Sequence, residues 1–439
     1  MNQESKTVLP LTNTRIVEID GLSTDIPINF NHQLSPQTDV IGEILICEKN
    51  EPPPPVLRLL LTDKKEKIEV VLASGAKFDA ISLRGEMKIG TDSYSQEIFI
   101  IPARQPVTVI NKGNPLTELA FPILNFPPIL GSRRKFISDG EKNISIPNIQ
   151  IKASSWCIEM TGVDDIWDVK KMLEEKRGLG ITYIGRITQL NAAEFEVNEA
   201  KKLLSALQTF LSFSCGRACG FPLVEGKDRR GQNSWVRWGS HYVHPWNYQH
   251  SLLCRHDYDI ILQSLFPKFL VLFENDKWAN VLVRVINYYL ESNTVLMREV
   301  GIISAQIALE LLSYQISHEH RKYKNKKEAA GISIQKALEE LDIATNIPEH
   351  CESLRKLKRI YKWKNGPHAL TDIRNDIVHP ITKFDDSPIL QGEVWVLALW
   401  YIEMLLLKKL DHQGEYRSRF ATGRTKLEPF PLVPWAIPG

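Results

Sequence analysis

Short apolar segments separated by turn sequences fill the first third of the chain. "VIGEILICE", "KIEVVLA" and "QEIFIIPA" are rich in Val, Ile and Leu, and several such segments alternate apolar with polar positions. Turn sequences such as "NEPPPP" and "NKGNP" interrupt them, a combination typical of antiparallel strands. Residues 1–150 are therefore predicted to form a β-rich, sandwich-like or barrel-like domain. Since no catalytic cluster is embedded in it, we expect a regulatory or sensor role.

The next hundred residues, 151–250, combine helical and strand patterns and are predicted to form a mixed α/β segment. "ITYIGRITQL" reads as a strand, and "NAAEFEVNEAKKLLSALQTFLSF" has the period of a helix. Asn191 with Glu194 three residues later resembles a capping box at its start, and the glycines of "CGRACG" favour its end. Residues 223–250 are dense in Trp, Tyr and His, which could stack on bases, but a packed loop or interface is favoured.

From residue 251 to residue 412 the pattern becomes almost entirely helical. Apolar residues at i, i+3, i+4 and i+7 recur in five or six segments with short connections, which predicts an all-α bundle. One of these helices is expected to open at Ser333, and "VWVLALWYIEMLLL" is expected to be a core helix although it contains Glu403. The proline-rich tail, 413–439, is expected to lie on the surface as extended chain. The fold class is a multidomain α+β protein.

Composition narrows the functional classes only slightly. The chain has 439 residues, 43% hydrophobic and 24% charged, with a formal net charge of +2, as in an ordinary globular protein. No apolar run reaches the roughly 20 residues that cross a bilayer, the N-terminus lacks an apolar signal region, and the six cysteines are widely spaced. We therefore expect a cytoplasmic protein without a membrane partner. Cys215, Cys219, His241 and His244 could bind zinc, but their spacing is looser than in paired-cysteine sites, so no metal and no cofactor are predicted.

The most informative short stretch is "IRNDIVHP", residues 373–380, which places an Arg five residues before a His. An Arg followed by a His at such a distance occurs by chance in roughly every other chain of this length, and Arg237 with His244, seven residues apart, is a second and wider example. Context separates them, because only Arg374 and His379 lie on a predicted helix. Thr371 or Asp372 is expected to cap that helix.

Helical geometry makes the second half of this stretch a polar edge. Pro380 disfavours helix at the preceding residue, so His379 is expected in the last turn. Asn375 and His379, four residues apart, share one face, while Ile373, Ile377 and Val378 are expected to contact the bundle.

An Arg, a His and a polar amide are sufficient for RNA cleavage without a metal. The ribose 2′-hydroxyl would attack the adjacent phosphate, His379 would move a proton, and Arg374 would stabilise the developing charge. The simpler alternative is an Arg holding a carboxylate and a His capping helix carbonyls.

Two dense basic runs, residues 318–327 and 355–364, suggest an electrostatic footprint for a polyanion. Either run alone is more readily explained as a solvated helix face whose lysines keep the protein soluble. Together with the Arg–His pair they favour RNA binding. The candidate RNA-binding residues are Arg355, Lys356, Lys358, Arg359, Lys362, Lys364, Arg321 and Lys322.

A bundle of about five helices carrying R-N-x-x-x-H late in its sequence resembles the HEPN superfamily. "DIRNDIVHP" following "ISAQIALELL" is most similar to the Apea-like branch, which is linked to bacterial anti-phage defence, over about residues 265–411. The resemblance implies a metal-independent endoribonuclease, a defence or toxin–antitoxin effector, with Arg374 and His379 as motif positions and Asn375 as the accompanying polar residue. It also implies a homodimer whose bundles form one cleft. If the protein is such an enzyme, we expect the N-terminal region, with a regulatory partner or ligand, to hold it inactive until a partner or infection signal relieves it.

A non-catalytic HEPN module that binds nucleic acid or dimerises is the alternative. It gains support if Arg374 is locked against Glu299 or Glu310 in a closed interior.

Overall fold

The computed structural model describes most of the chain. The described ranges are 10–19, 22–34, 40–48, 67–71, 77–89, 94–102, 107–129, 131, 134–139, 142–239, 243–247, 250–252, 258–320, 328–379, 387–420 and 430–436. Arg321, Lys322, His241 and Pro380, which entered the sequence predictions, lie outside these ranges.

Six N-terminal strands pair into a closed antiparallel barrel. They are β1 (Pro10–Ile19), β2 (Leu22–Leu34), β3 (Val40–Glu48), β4 (Lys67–Val71), β5 (Lys77–Ile89) and β6 (Tyr94–Pro102), in the order β1-β2-β3-β6-β5-β4. Pairing of β4 with β1, for example Ile16 opposite Val70, closes the ring. Of the two arrangements expected here, the barrel-like one is present and the sandwich-like one is not, and the predicted antiparallel strands are confirmed. Closure gives every strand a partner on both sides and leaves no open edge.

Eight further strands form a second antiparallel sheet, in the order β7-β14-β13-β8-β12-β11-β10-β9. Their bounds are β7 (Val107–Asn111), β8 (Glu118–Leu124), β9 (Arg134–Asp139), β10 (Lys142–Ala153), β11 (Trp156–Gly162), β12 (Ile181–Gln189), β13 (Leu223–Lys227) and β14 (Asn233–Trp238). The strand predicted from "ITYIGRITQL" is confirmed as β12. Helix α1 (Ile166–Lys176), which the sequence patterns did not indicate, connects β11 to β12.

The β13–β14 hairpin lies where an aromatic, loop-rich segment was expected. Its turn is set by Asp228, whose Oδ1 accepts the backbone N–H of Arg230 at 2.9 Å and of Gln232 at 3.1 Å. Gly231 supplies the left-handed conformation, with φ of 74°. The prediction of a loop is therefore wrong in this part, because a local carboxylate and a glycine were enough to define a hairpin.

Helix α2 (Val197–Cys215) begins later than the capping pattern indicated. Asn191 accepts the N–H of Ala193 in a turn, and it is Glu199 that accepts the N–H of Glu196 near the true helix start. The reason is a backbone pairing: Phe195 and Leu116 exchange two N–H···O bonds of 2.8 Å. That bridge keeps residue 195 extended, so the helix starts after it.

Seven helices occupy the C-terminal part that the structure describes. They are α3 (Tyr258–Glu274), α4 (Asp276–Thr294), α5 (Arg298–His320), α6 (Ala330–Glu340), α7 (Glu352–Tyr361), α8 (Gly366–Val378) and α9 (Pro388–Lys409). Helices α5 and α9 run side by side and in parallel, since Gln391 bonds to Glu299 near one end and Lys409 to Glu319 near the other. The α6 helix starts at Ala330, three residues before the expected Ser333.

Helices α5 and α9 are also long and apolar enough to cross a membrane. Buried residues make up 56% of the apolar window in α5 and 67% of that in α9, as in the core helices of a bundle. The prediction of a core helix over "VWVLALWYIEMLLL" is thus confirmed, and so is the coarse fold class, a multidomain α+β protein.

The chain divides into two compact units. The first comprises Met1–Asn125, Ser155–Ala200 and Cys219–Trp246, and the second comprises Phe126–Ser154, Lys201–Ala218 and Asn247–Gly439. In the first, the core includes Phe121 and Trp235, both almost fully buried. In the second, the α3–α9 helices enclose a core that includes Trp278 and Tyr401.

The chain after α9 folds back onto the second unit. Tyr416 and Val433 are buried, and the backbone N–H groups of Tyr416 and Val433 donate to Pro431 and Gly414. The tail was expected to pack on the surface as extended chain. Most of its described residues are half-buried or exposed, while Tyr416 and Val433 are buried and fix it to the unit.

Candidate functional site

The helix that carries Arg374 begins five residues before Thr371. Its N-cap is Asn365, whose side chain accepts the N–H of His368 at 2.9 Å, and Pro367 lies in its first turn. The expected cap at Thr371 or Asp372 is therefore wrong, since Asn followed two residues later by Pro is the stronger start signal.

Close packing also fixes this start. A Cβ on Gly366 would lie 2.1 Å from the Tyr401 hydroxyl. The first turn of α8 is thereby held against α9.

His379 ends α8 as predicted. It is the C-cap residue, its backbone N–H donates to the carbonyl of Asn375 at 2.8 Å, and its side chain is exposed. Asn375 is exposed as well, whereas Ile373 is buried. Val378, expected to pack on the bundle, is 39% exposed. The end of α8 therefore presents an imidazole, an amide and one apolar side chain to solvent.

Arg374 is half-buried beside this edge. Its Nη1 donates to Asn375 Oδ1 at 3.2 Å, and its Nε is buried without a hydrogen-bond partner. Glu299 instead accepts from Gln391, and Glu310 accepts from Gln306. Among the residues that the structure describes, Arg374 therefore has no carboxylate partner, and its positive charge is not neutralised locally.

The six cations of residues 355–364, here called the α7 basic strip, lie along and just after α7. All except the half-buried Lys358 are exposed, and within the described part of the chain none of them forms an ion pair; they are Arg355, Lys356, Lys358, Arg359, Lys362 and Lys364. Leu354, fully buried, attaches the helix to the bundle. An unpaired row of cations on a fixed helix produces a local positive field on a chain of almost neutral charge.

A carboxylate on α9 fixes the beginning of α7. Glu393 accepts the backbone N–H groups of Ser353 at 3.1 Å and Leu354 at 2.9 Å, an arrangement that a helix N-terminus favours. Lys362, with φ of 55°, ends the helix in the left-handed region. The strip is therefore held at both ends by specific backbone geometry.

Two contacts attach the end of the strip to the start of α8. Trp363 is buried and donates from Nε1 to Asp372 Oδ2 at 2.8 Å, and the N–H of Lys364 donates to His368 Nδ1 at 3.3 Å. Tyr361 stacks on Trp363 with 5.5 Å between ring centroids. Sequence analysis placed the strip and the Arg–His pair near each other along the chain, but it did not identify these contacts.

The second Arg–His match serves the fold. Arg237 lies on β14, where burial lowers its pKa to about 10 and its guanidinium carbon stands 5.8 Å from the Trp235 ring centroid. His244 is buried, and its carbonyl accepts a hydrogen bond from Asn125 at 2.9 Å. Neither residue is presented to solvent as Asn375 and His379 are.

Cys215, one of the two cysteines considered for zinc, makes hydrogen bonds within the fold. That thiol is buried and donates to the carbonyls of Ser212 and Arg217. Within the described ranges, no group of three or more His, Cys, Asp or Glu side chains could hold a metal ion.

Sequence analysis missed a buried ionic network in the second unit. Arg419, from the chain after α9, forms an ion pair with Glu403 at 2.7 Å, with side-chain exposures of 3% and 0%. Tyr289 donates to Glu403 at 2.8 Å, and Arg419 donates to Asn293 at 2.9 Å. A charge within an apolar helix was the available signal, because a buried Glu requires a partner.

His250 lies next to this network. Its Nε2 is 2.9 Å from the carbonyl of Arg417, and Asn293 donates to the carbonyl of His250 at 3.1 Å. Burial, followed by repulsion from Arg419 and Arg417, lowers the pKa of His250 to about 2. The imidazole therefore stays neutral in the folded protein well below the pH at which a free histidine takes up a proton.

Acidification is expected to destabilise the second unit through His250. Below pH about 6.5 the unfolded histidine binds a proton that the folded one excludes, so the free energy of unfolding falls as pH decreases, by up to about 1.4 kcal/mol per pH unit. Urea denaturation at pH 7.5, 6 and 5 should show a loss of about 2 kcal/mol between pH 7.5 and 5 from this residue. The variant His250→Gln should lose less stability over that range; an equal loss in both proteins would contradict the assignment.

The protein is therefore a multidomain α+β protein. Its candidate site consists of the end of α8 and the α7 basic strip. Comparison with known proteins gives a match to the YopA central domain over residues 111–249 and to the YopA C-terminal domain over residues 275–429. The chain is also 27% identical over 333 residues to the SPbeta prophage-derived uncharacterized protein YopA of Bacillus subtilis (strain 168), covering 73% of this chain and 72% of that protein. No solved structure matches the chain significantly.

These matches agree with the structure in one respect. The C-terminal match continues past α9 to residue 429, and so includes Arg419, which pairs with Glu403 of α9. The residues directly after α9 thus belong to the same matched region as helices α4–α9.

Proposed function

We propose that this protein is a metal-independent endoribonuclease and that the C-terminal helices form a HEPN-like bundle carrying its active site. One observation carries the proposal: Arg374, without a described carboxylate partner, donates to Asn375, whose exposed side chain lies on the same helical face as the exposed His379. The nearby unpaired cations of the α7 basic strip add an attraction for a polyanion.

Each side chain has a distinct role in the proposed reaction. The ribose 2′-oxygen attacks the neighbouring phosphorus, the bond from phosphorus to the 5′-oxygen breaks, and a 2′,3′-cyclic phosphate and a 5′-hydroxyl result. His379 moves a proton to or from the reacting oxygens, and Arg374 stabilises charge on the phosphoryl oxygens. Asn375, which accepts from Arg374 Nη1, holds the guanidinium in position.

The wider biological proposal rests on the resemblance and on the relative. We propose a cytoplasmic homodimer with the two bundles forming one cleft, regulated by a partner or ligand at the N-terminal β-rich region. A prophage-derived relative supports an effector in antiviral defence or a toxin–antitoxin pair.

A second candidate is a non-catalytic module that binds nucleic acid. It is favoured by the fact that the α7 basic strip is complete without Arg374 or His379. The same strip would then hold RNA without cleaving it.

An assay of purified protein with end-labelled RNA in EDTA tests the proposal directly. We expect cleavage products with 2′,3′-cyclic phosphate ends, and no cleavage when each 2′-hydroxyl is methylated, because the attacking nucleophile is then blocked. Cleavage of the methylated RNA, or activity that disappears in EDTA and returns with a divalent metal, would refute the mechanism. Binding without cleavage would favour the second candidate.

A further inference from the structure

The α7 basic strip and one face of α8 are placed to act together. Arg355 and Arg359 share one face of α7, being four residues apart and about 6 Å along the helix, and Lys362 follows directly after the last helical residue. On α8, positions 368, 372, 375 and 379 follow the same rule and form a second face that ends at His379.

Side-chain contacts join these two faces. Trp363 bonds to Asp372 and the backbone of Lys364 bonds to His368, and both acceptors belong to that face of α8. Lys362 and Lys364 flank Trp363 in sequence and are both exposed. The positive strip therefore leads onto the face that carries Asn375 and His379, about 16 Å further along α8 from His368.

The strip also contains exposed non-charged surface. Ile360 is 68% exposed, and Tyr361 is half-buried and stacks on Trp363. Proteins that hold single strands combine cations along the backbone with aromatic rings for unpaired bases. In a duplex the bases are paired and stacked on one another, so a ring beside the phosphates cannot reach their faces.

We infer that the α7 basic strip and the adjoining face of α8 form one continuous track for a single-stranded RNA, with Tyr361 contacting an unpaired base and the strip's cations contacting phosphates. This inference rests on the proposed function, since it assigns the form of RNA that would reach His379. Arg355, Arg359 and Lys362 are binding residues, and Trp363 is a positioning residue that fixes the strip against α8.

Fluorescence anisotropy with a fully 2′-O-methylated, labelled single-stranded RNA measures this binding independently of cleavage. The full-length wild type should bind it more tightly than a duplex of the same sequence. Arg355→Ala/Arg359→Ala should weaken binding at least tenfold at low salt and reduce the slope of log affinity against log salt by about 1.4, from two phosphate contacts. Lys277→Ala/Arg284→Ala, which removes two exposed cations of α4, should change neither quantity.

The base contact has its own variant. Tyr361→Ala should lower affinity for the single strand by roughly five- to hundredfold and leave duplex affinity unchanged, whereas Tyr361→Phe should bind as the wild type does.

Wild-type affinity in the strip variant, equal losses in the α4 control, or a duplex that binds as tightly as the single strand would overturn the inference. Binding of the strip to anionic lipid vesicles but not to RNA would also overturn it. If the wild type cleaves unmodified RNA and Arg355→Ala/Arg359→Ala binds RNA as the wild type does, the single-strand track is rejected and the catalytic proposal stands. If binding depends on these two residues but the wild type does not cleave, the catalytic proposal is rejected and the track stands.

Discussion

Replacing His379 with alanine is expected to lower kcat for RNA cleavage by about 10²–10⁴-fold, the usual loss when a positioned general acid or base is removed. Arg374→Ala should cause a loss of about 10²–10³-fold, because charge on the phosphoryl oxygens is then unsupported. The measurement is the initial rate of cleavage of a labelled single-stranded RNA under saturating conditions. Both side chains lie at the end of one helix, His379 exposed and Arg374 half-buried with one described hydrogen bond, so the folded state should persist.

Two comparisons make this result specific. His350→Ala removes another exposed imidazole, one that stacks on Phe420, and it should keep the wild-type rate. Circular dichroism and thermal unfolding should match the wild type for all three variants. If His379→Ala cleaves at the wild-type rate, His379 has no part in the mechanism. If the wild type itself does not cleave RNA, the non-catalytic binding module becomes the favoured candidate.

Replacing Arg419 with methionine is expected to lower the free energy of unfolding by about 3–5 kcal/mol, because it leaves a buried carboxylate without its cation. Glu403 is fully buried, and its Oε1 accepts from both Arg419 and Tyr289. Its Oε2 has no hydrogen-bond partner, so little remains to stabilise the charge. Urea denaturation of wild type and variant at pH 7.5 measures the loss.

The double variant Glu403→Leu/Arg419→Met separates charge pairing from packing. Removing both charges should restore a large part of the stability lost in Arg419→Met, since a buried ion pair and an apolar pair of similar volume are close in free energy. A double variant as unstable as the sum of the two single variants would show that the residues are not coupled. The matched control is Lys268→Met, which breaks an exposed ion pair with Asp411 and should cost at most about 1 kcal/mol.

The fold was predictable wherever a long segment had one dominant period. The β12 strand and the core helix α9 follow from such patterns, and so does the coarse division into strands followed by helices. The starts of α2 and α8 were misplaced, although both had suitable sequence signals. The pairing of Phe195 with Leu116 prevents α2 from starting earlier. Helix α8 starts at the earlier capping signal, Asn365 followed by Pro367, and not at Thr371.

The candidate site was partly predictable for a similar reason. That His379 lies at the end of a helix and shares a face with Asn375 follows from proline and from helical geometry. The absence of a described carboxylate partner for Arg374 did not follow, since Glu299 and Glu310 were equally plausible partners. Glu299 accepts from Gln391, a contact that depends on how α5 packs against α9, whereas Glu310 accepts from Gln306 one turn earlier on α5 itself.

The sequence by itself determined the local features of this protein: the strands and helices with strong periodicity, the polar end of α8 and the density of cations on α7. Tertiary structure alone decided which of these features meet. It closed the first six strands into a barrel, brought Arg419 to Glu403, and attached Trp363 to Asp372. The physical reason is that periodicity and capping act over a few residues, whereas the burial of a charge or the pairing of a distant strand depends on the whole packed chain.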